Sequence, residues 1–257
     1  MKESISSTNS HYKFKYLLPL ITVLTCFFTL SSTSIAQDKL SVLITGANRG
    51  IGLEYAKQYS QKGYTVYGTA RNPDSATELK ATGATIIKLD VTSDADIAAM
   101  AKTMQGKKLD ILINNAGVLN RTEKSRDVML QGFSVNTLGP MYVAEALLPN
   151  LKASKNPKII NISSRLSVLK NGSGKPVPYA VSKAGLNMVT RIQHTDLNAS
   201  GFIVISMDPG WNKTDMGGKS APLTPQQTVP KMIEVIDSLK AEDSGKFYNY
   251  EKNEHPW

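Results

Sequence analysis

The chain has 257 residues, 41% of them apolar and 20% charged, which is enough for one full-sized core and lacks the bias of a disordered or fibrous protein. Thirty Lys and Arg against 21 Asp and Glu leave a formal charge of +9, which suits a phosphate-bearing ligand. No zinc spacing, basic helix or aromatic-basic interleaving accompanies that charge, so no nucleic-acid partner is expected, and with Cys26 as the single cysteine, disulfides, thiolate metal sites and a cysteine nucleophile are excluded from the folded part.

The first 36 residues read apart from the rest. A polar stretch holding Lys2, Lys13 and Lys15 precedes a 15-residue apolar run, Tyr16 to Leu30, and then Ser31 to Ala36. That order matches an export signal, and the run falls short of the roughly 20 residues a spanning helix needs. Ser34 and Ala36 supply small residues for cleavage before Gln37. The expectation is a signal peptide or an uncleaved N-terminal anchor over 1–36, a domain over 37–257, and a location outside the cytoplasm or at a membrane held only through the N-terminal segment. A cytoplasmic protein with a disordered extension is the alternative.

From Leu40 onward, short β-branched apolar runs alternate with segments of helical spacing. Strands are expected at Leu40 to Ile44, Tyr64 to Gly68, Ala84 to Leu89, Leu109 to Ile113, Lys158 to Ile162, Phe202 to Met207 and Lys246 to Tyr250. Helices are expected at Ile51 to Gln61, Asp94 to Gln105, Val128 to Leu151, Tyr179 to Ala199 and Pro225 to Leu239. Continuous apolar strands separated by helices imply a parallel sheet covered on both faces. The fold class is therefore α/β, a single doubly wound Rossmann-type sheet with helices on both faces, and its ligands belong at the carboxyl ends of the strands. The polar stretch Asn212 to Thr228 is the one long segment that reads as a mobile lid.

Directly after the first strand comes Thr45-Gly-Ala-Asn-Arg-Gly-Ile-Gly52, which opens the first helix. Gly46, Gly50 and Gly52 permit a tight turn and a close backbone approach to a pyrophosphate, so Gly46, Asn48, Arg49, Gly50, Ile51 and Gly52 form a candidate dinucleotide cradle. NAD-specific sites place an acid about 20 residues past such a turn, to accept from the ribose 2′-hydroxyl. Here Thr69-Ala70-Arg71 stands in that place. Arg71, with Arg49 as a second cation, would hold a 2′-phosphate, so NADP(H) is expected over NAD(H).

Tyr179 and Lys183 lie four apart at the start of an expected helix and share a face. A cation one turn from a tyrosine is expected to lower its pKa toward the range useful for acid-base catalysis on a carbonyl or alcohol oxygen.

The G-x-x-x-G-x-G spacing, Asp90-Val91, Asn114-Asn-Ala-Gly117, Asn136, Ser163-Ser164, Tyr179-x-x-x-Lys183 and Pro209-Gly210 with Thr214 occur in one order from about residue 40 to the end. Together they resemble the short-chain dehydrogenase/reductase family. The resemblance implies that Tyr179 protonates the carbonyl oxygen, that Lys183 also holds the nicotinamide ribose, that Ser164 rather than Ser163 polarises the substrate, and that Asn136 sits at a helix distortion and holds a water of a proton relay. It further implies that Asp90 and Val91 frame the adenine, Asn115, Ala116 and Gly117 the adenosine ribose side, and Pro209, Gly210 and Thr214 the carboxamide. Pairing into a homodimer through the helices after strands four and five is implied as well.

Two departures qualify the resemblance. Ser164 and Tyr179 are 15 apart, more than in many family members, because of a basic insert at Lys170 to Lys175. The insert, Asp208 to Gly218 and the ending Tyr250 to Trp257 resemble the subgroup holding the sniffer carbonyl reductases and the C-factor cell-contact signalling proteins. The export segment is the second departure, since an exported chain does not draw on cytoplasmic NADPH. Two readings stay open: an NADP(H)-dependent oxidoreductase of small carbonyl or alcohol substrates, and an exported C-factor-like signalling or cofactor-sensing protein. A methyltransferase-like domain would leave the Tyr179 and Lys183 pair unexplained.

Overall fold

Seven short strands make the sheet: β1 (Ser41–Ile44), β2 (Thr65–Ala70), β3 (Thr85–Lys88), β4 (Ile111–Asn114), β5 (Lys158–Ile162), β6 (Ile203–Asp208) and β7 (Phe247–Asn249). They come from a computed structural model that describes residues 39–170, 174 and 176–257. The expected export or anchor segment lies outside the described residues, as does the insert apart from Lys170 and Gly174. Asp38–Trp257 is one compact unit.

The strand order is β3-β2-β1-β4-β5-β6-β7 and every pairing is parallel. The helices are α1 (Gly50–Gln61), α2 (Thr77–Lys80), α3 (Asp94–Met104), α4 (Arg126–Phe133), α5 (Gly139–Lys152), α6 (Val177–Leu197) and α7 (Pro225–Asp237). Successive strand residues face opposite sides, which is why the strands read as unbroken apolar runs. Val42 and Ile44 pack with Tyr55, Met232 and Ile236 of α1 and α7, while Leu43 packs with Met100 and Leu147 of α3 and α5. The chain runs outward from β1 to β3 and then crosses to β4 on the other side of β1. That reversal opens a crevice above the ends of β1 and β4, the usual ligand position in such sheets.

The expected elements form, with three differences. The helical segment Val128 to Leu151 is not one helix: α4 and α5 are separated by a wide π turn, Ser134–Leu138, closed by Gly139 N–H donating to Ser134 C=O. Gly139 begins α5 because a Cβ there would lie 2.8 Å from Val91 Cγ2, and Pro140, having no N–H, breaks the normal ladder. The one-turn helix α2 carries too few residues for periodicity to reveal it. The expected lid is shorter than 212–228. Asn212 is buried, donates to the carbonyls of Pro209 and Gly210 and accepts from Thr228, Lys213 N–H donates to the Leu223 carbonyl, and α7 begins at Pro225, so only 214–222 lies between these ties.

Candidate active site

The end of β1 turns sharply because Gly46 and Gly50 take positive φ, +63° and +57°. A Cβ on Gly52 would lie 2.4 Å from the Gly46 carbonyl oxygen and 2.5 Å from Asn115 Nδ2, so helix α1 can start this close to the strand ends only with glycine there. Asn115 Nδ2 donates to the carbonyls of Thr45 and Gly46, and Thr45 Oγ1 accepts from the N–H groups of Asn115 and Ala116. These bonds tie the turn to the loop after β4 and hold Ala116 and Gly117 against the crevice.

Helix α1 has no side-chain cap and no acid in its first turn. Its leading N–H groups and positive dipole end therefore suit a pyrophosphate, and the cradle fits a dinucleotide. Asn48 and Arg49 are exposed on the rim, with Ile51 half-buried behind them. Arg71 follows β2, is exposed and has no ion-pair partner among the described residues, whereas Arg49 Nη1 pairs with Asp215 at 3.2 Å. Asp90 follows β3 and binds Thr92 through Oδ1, and Val91 is buried against α5. On the opposite side, Gly210 has φ +73° and Thr214 reaches across, its methyl 3.2 Å from where a Gly50 Cβ would stand.

The catalytic candidates converge at the ends of β4 and β5. Lys183 is 3% exposed, donates through Nζ to the Ile162 carbonyl at 2.6 Å, and lies 5.8 Å from the Tyr179 ring centre. Burial disfavours its charge and brings its pKa down to about 7. Tyr179 is half-buried, and loss of solvent followed by the Asp208 carboxylate pushes its phenol up to about 12. The Ser164 hydroxyl, hydrogen-bonded to the phenol, and Arg121 pull the other way. The expected lowering of the Tyr179 pKa is thus reversed here, because burial and then the Asp208 carboxylate outweigh the pull of Ser164 and Arg121.

The two adjacent serines separate cleanly. Ser163 is 1% exposed and donates to Asn187 Oδ1, while Asn187 Nδ2 donates to Ser167. Ser164 is half-buried, caps the short turn Arg165–Ser167 and is the serine that meets Tyr179. Asn136 lies within the π turn, as the resemblance implied. Its side chain is fully engaged, Oδ1 accepting from Val118 N–H and Nδ2 donating to the Val118 carbonyl and Ser182 Oγ. A water relay at this position would therefore use main-chain carbonyls that the wide turn releases, not the amide.

Residues 40–223 match the family model described as short chain dehydrogenase. The C-signal protein of Myxococcus xanthus is 41% identical over 154 residues, covering 58% of this chain and 93% of that protein. An NADPH-bound carbonyl reductase from chicken fatty liver superposes with a TM-score of 0.80 at 32% identity, over 85% of this chain and all of that one. The carbonyl reductase Sniffer of D. melanogaster gives 0.78 at 29%, again over 85% of this chain and all of its own. The chain belongs to the short-chain dehydrogenase/reductase family. Within it, the chain sits with the carbonyl reductase and C-factor-like subgroup, and it is an NAD(P)-dependent oxidoreductase that transfers hydride on small carbonyl or alcohol compounds.

In this short-chain dehydrogenase/reductase several residues that shape the site were given no role by the sequence. Asn187 falls four residues after Lys183 on the same helical face, a spacing that was readable. Thr45, Asp215 and Arg121 were not, because each acts through a contact distant in sequence: Arg121 Nη2 donates to the Met216 carbonyl at 3.2 Å across 95 residues.

Proposed function

We propose that the protein reduces small carbonyl compounds with NADPH in preference to NADH. The observation that carries this reading is the convergence of Ser164, Tyr179 and Lys183 beside a turn shaped for a dinucleotide. Arg71 and Arg49 on the 2′ side, with no acid at the end of β2, support the phosphate-bearing cofactor. A bound NADPH would supply the hydride. Ser164 would donate to the substrate oxygen, and Tyr179, held protonated by its surroundings near neutral pH, would give that oxygen its proton. Lys183 would leave the Ile162 carbonyl for the ribose, and its charged form would then favour the phenolate left behind. Asp90, Val91, Asn115, Ala116 and Gly117 would line the adenosine half, and Pro209, Gly210 and Thr214 the carboxamide.

A cavity of about 110 Å³ between the loop after β4, α4 and the start of α6 is lined by Val118, Leu119, Val128, Gln131 and Tyr179. Its small size favours a short substituent on the carbonyl carbon, and its wall mixes apolar Val118, Leu119 and Val128 with polar Asn120 and Gln131. The test is NADPH and NADH oxidation, side by side, against graded aldehydes and ketones. Turnover of the smaller compounds with NADPH is expected, and equal rates with NADH would remove the cofactor preference.

Two further proposals concern its surroundings. Residues 1–36 serve as an export or anchor segment, which N-terminal sequencing of the native protein checks. Val181, Met188 and Ile192 lie exposed on one face of α6 and support a homodimer through that helix, measurable by light scattering.

A further inference from the structure

Helix α6 holds the end of β5 through a stripe of polar side chains. Thr190 Oγ1 accepts from Asn161 Nδ2 at 2.9 Å, Lys183 Nζ donates to the Ile162 carbonyl at 2.6 Å, and the Ser163 hydroxyl donates to Asn187 Oδ1 at 2.7 Å. Positions 183, 187 and 190 share one helical face, so three consecutive residues, 161 to 163, are gripped in turn. Lys183 belongs to the catalytic pair. Asn187 is 5% exposed, and no step above uses it.

The Asn187 amide reaches beyond Ser163. Its Nδ2 donates to Ser167 Oγ at 2.8 Å, and Ser167 Oγ in turn donates to the Ser164 carbonyl at 2.6 Å. The direction of these bonds is fixed. A hydroxyl has one proton, and that of Ser167 goes to a carbonyl, which can only accept, so Ser167 must accept from the amide nitrogen. The amide oxygen is then turned to Ser163, which donates. One chain of hydrogen bonds thus runs from Ser163 through Asn187 and Ser167 to the main chain of Ser164. Ser163 and Ser167 are 1% and 3% exposed, so losing one member leaves the next unpaired away from solvent.

Ser164 lies between the two ends of this chain. On one side, Ser163 N–H donates to the Met207 carbonyl at 2.7 Å and keeps the strand end in the sheet. On the other, the Ser164 carbonyl receives both the hydroxyl and the N–H of Ser167, the latter at 2.9 Å. Ser164 Oγ accepts from Leu166 N–H at 3.2 Å, a bond that leaves the hydroxyl proton for other acceptors.

We propose that Asn187 is a positioning residue for carbonyl reduction: through Ser163 and Ser167 it holds the main chain on both sides of Ser164, and so fixes the hydroxyl that polarises the substrate. The proposal rests on the reading of Ser164 as the donor to the substrate oxygen. Asn187 is suited to this because one side chain must accept from one serine and donate to another. Leucine has nearly its size and neither function.

The experiment uses the full chain and compares Asn187→Leu, Ser167→Ala and the double variant with the parent protein. Amide hydrogen exchange, followed by NMR with NADPH bound, should quicken about fivefold at Leu166 and at position 167 in each single variant, the weight of one lost hydrogen bond. The kcat/KM for a small aldehyde should fall by about 10- to 100-fold, as expected when a reacting group is misplaced by less than about 1 Å. NADPH affinity should stay within about threefold, because Ser164 meets the substrate and not the cofactor. The double variant should be no worse than Asn187→Leu alone, since both act through one chain. Unchanged exchange at 166 and 167 would overturn the proposal. So would losses that multiply in the double variant, or NADPH affinity that falls as far as turnover, which is what a merely structural role predicts. If Asn187→Leu does not fold, Ser167→Ala decides by the same exchange and kinetic readings. A parent protein that reduces no carbonyl would refute the reductase reading, and the exchange rates alone would then decide whether Asn187 holds Ser164.

Discussion

The glycine turn and the catalytic pair face each other across one crevice, and they are built by different physics. The turn is a matter of shape: a Cβ on Gly52 would meet the Gly46 carbonyl at 2.4 Å, and the bonds of Asn115 and Thr45 leave that carbonyl nowhere to go. The Tyr179 and Lys183 pair is a matter of charge. Burial makes an acid weaker and a base weaker at the same site, with pKa values of about 12 and about 7. Volume should break the first region and charge the second.

The largest effect is expected from removing the buried cation. Lys183→Met fills much of the same space, loses the bond to the Ile162 carbonyl, and should lower kcat by more than about 10², within the range for acid-base machinery. Steady-state kinetics with a parallel cofactor titration should show both turnover and affinity falling. The same variant tests the lowered pKa. Because the folded value lies below the unfolded one, the unfolded chain binds more protons between the two, so the penalty for burying Lys183 is full below about pH 7 and fades as pH rises toward 10. Melting curves should therefore favour the variant most at low pH, with the difference from the parent protein shrinking as the medium becomes alkaline.

Cofactor choice comes next. Arg71→Asp should remove a charge-assisted contact of about 1.5–3 kcal/mol, roughly 10- to 100-fold in NADPH affinity, and offer NADH an acceptor, so that the preference inverts. Fluorescence titration at fixed salt measures both constants. Arg49→Ala should cost only a few-fold, because its guanidinium is exposed and already shared with Asp215.

Gly52→Ala probes shape. Overpacking of about 1–3 kcal/mol is expected, visible as a lower Tm and weaker binding of NADPH and NADH alike. A variant that lost only one cofactor would mean that the turn reads charge and not shape, and the contrast between the two regions would fail.

The strands and the cradle were legible in the amino-acid order because their causes are local. Parallel strands buried on both faces must be apolar throughout, and a turn with positive φ at positions 46 and 50 asks for glycine. Ser164 could be favoured over Ser163 only by likeness to a family; Asn187, reaching over 24 residues to bind Ser163, supplies the physical reason. The break in the helix at 134–138 was hidden because Val128 to Leu151 keeps helical spacing across it, and the cause, Val91 pressing on Gly139, lies 48 residues away. The direction of the Tyr179 shift was misread for a similar reason. Spacing along a helix reports which side chains share a face, but the burial of Lys183 and the approach of Asp208 from β6 are tertiary facts.

The most direct measurement for the whole account is Tyr179→Phe, which deletes one oxygen from a ring that also packs. NADPH affinity should stay within about threefold of the parent protein while carbonyl turnover falls by about 10² to 10⁴, the loss expected for a positioned proton donor. Turnover kept within about threefold, with affinity intact, would contradict the assignment of Tyr179 as the acid.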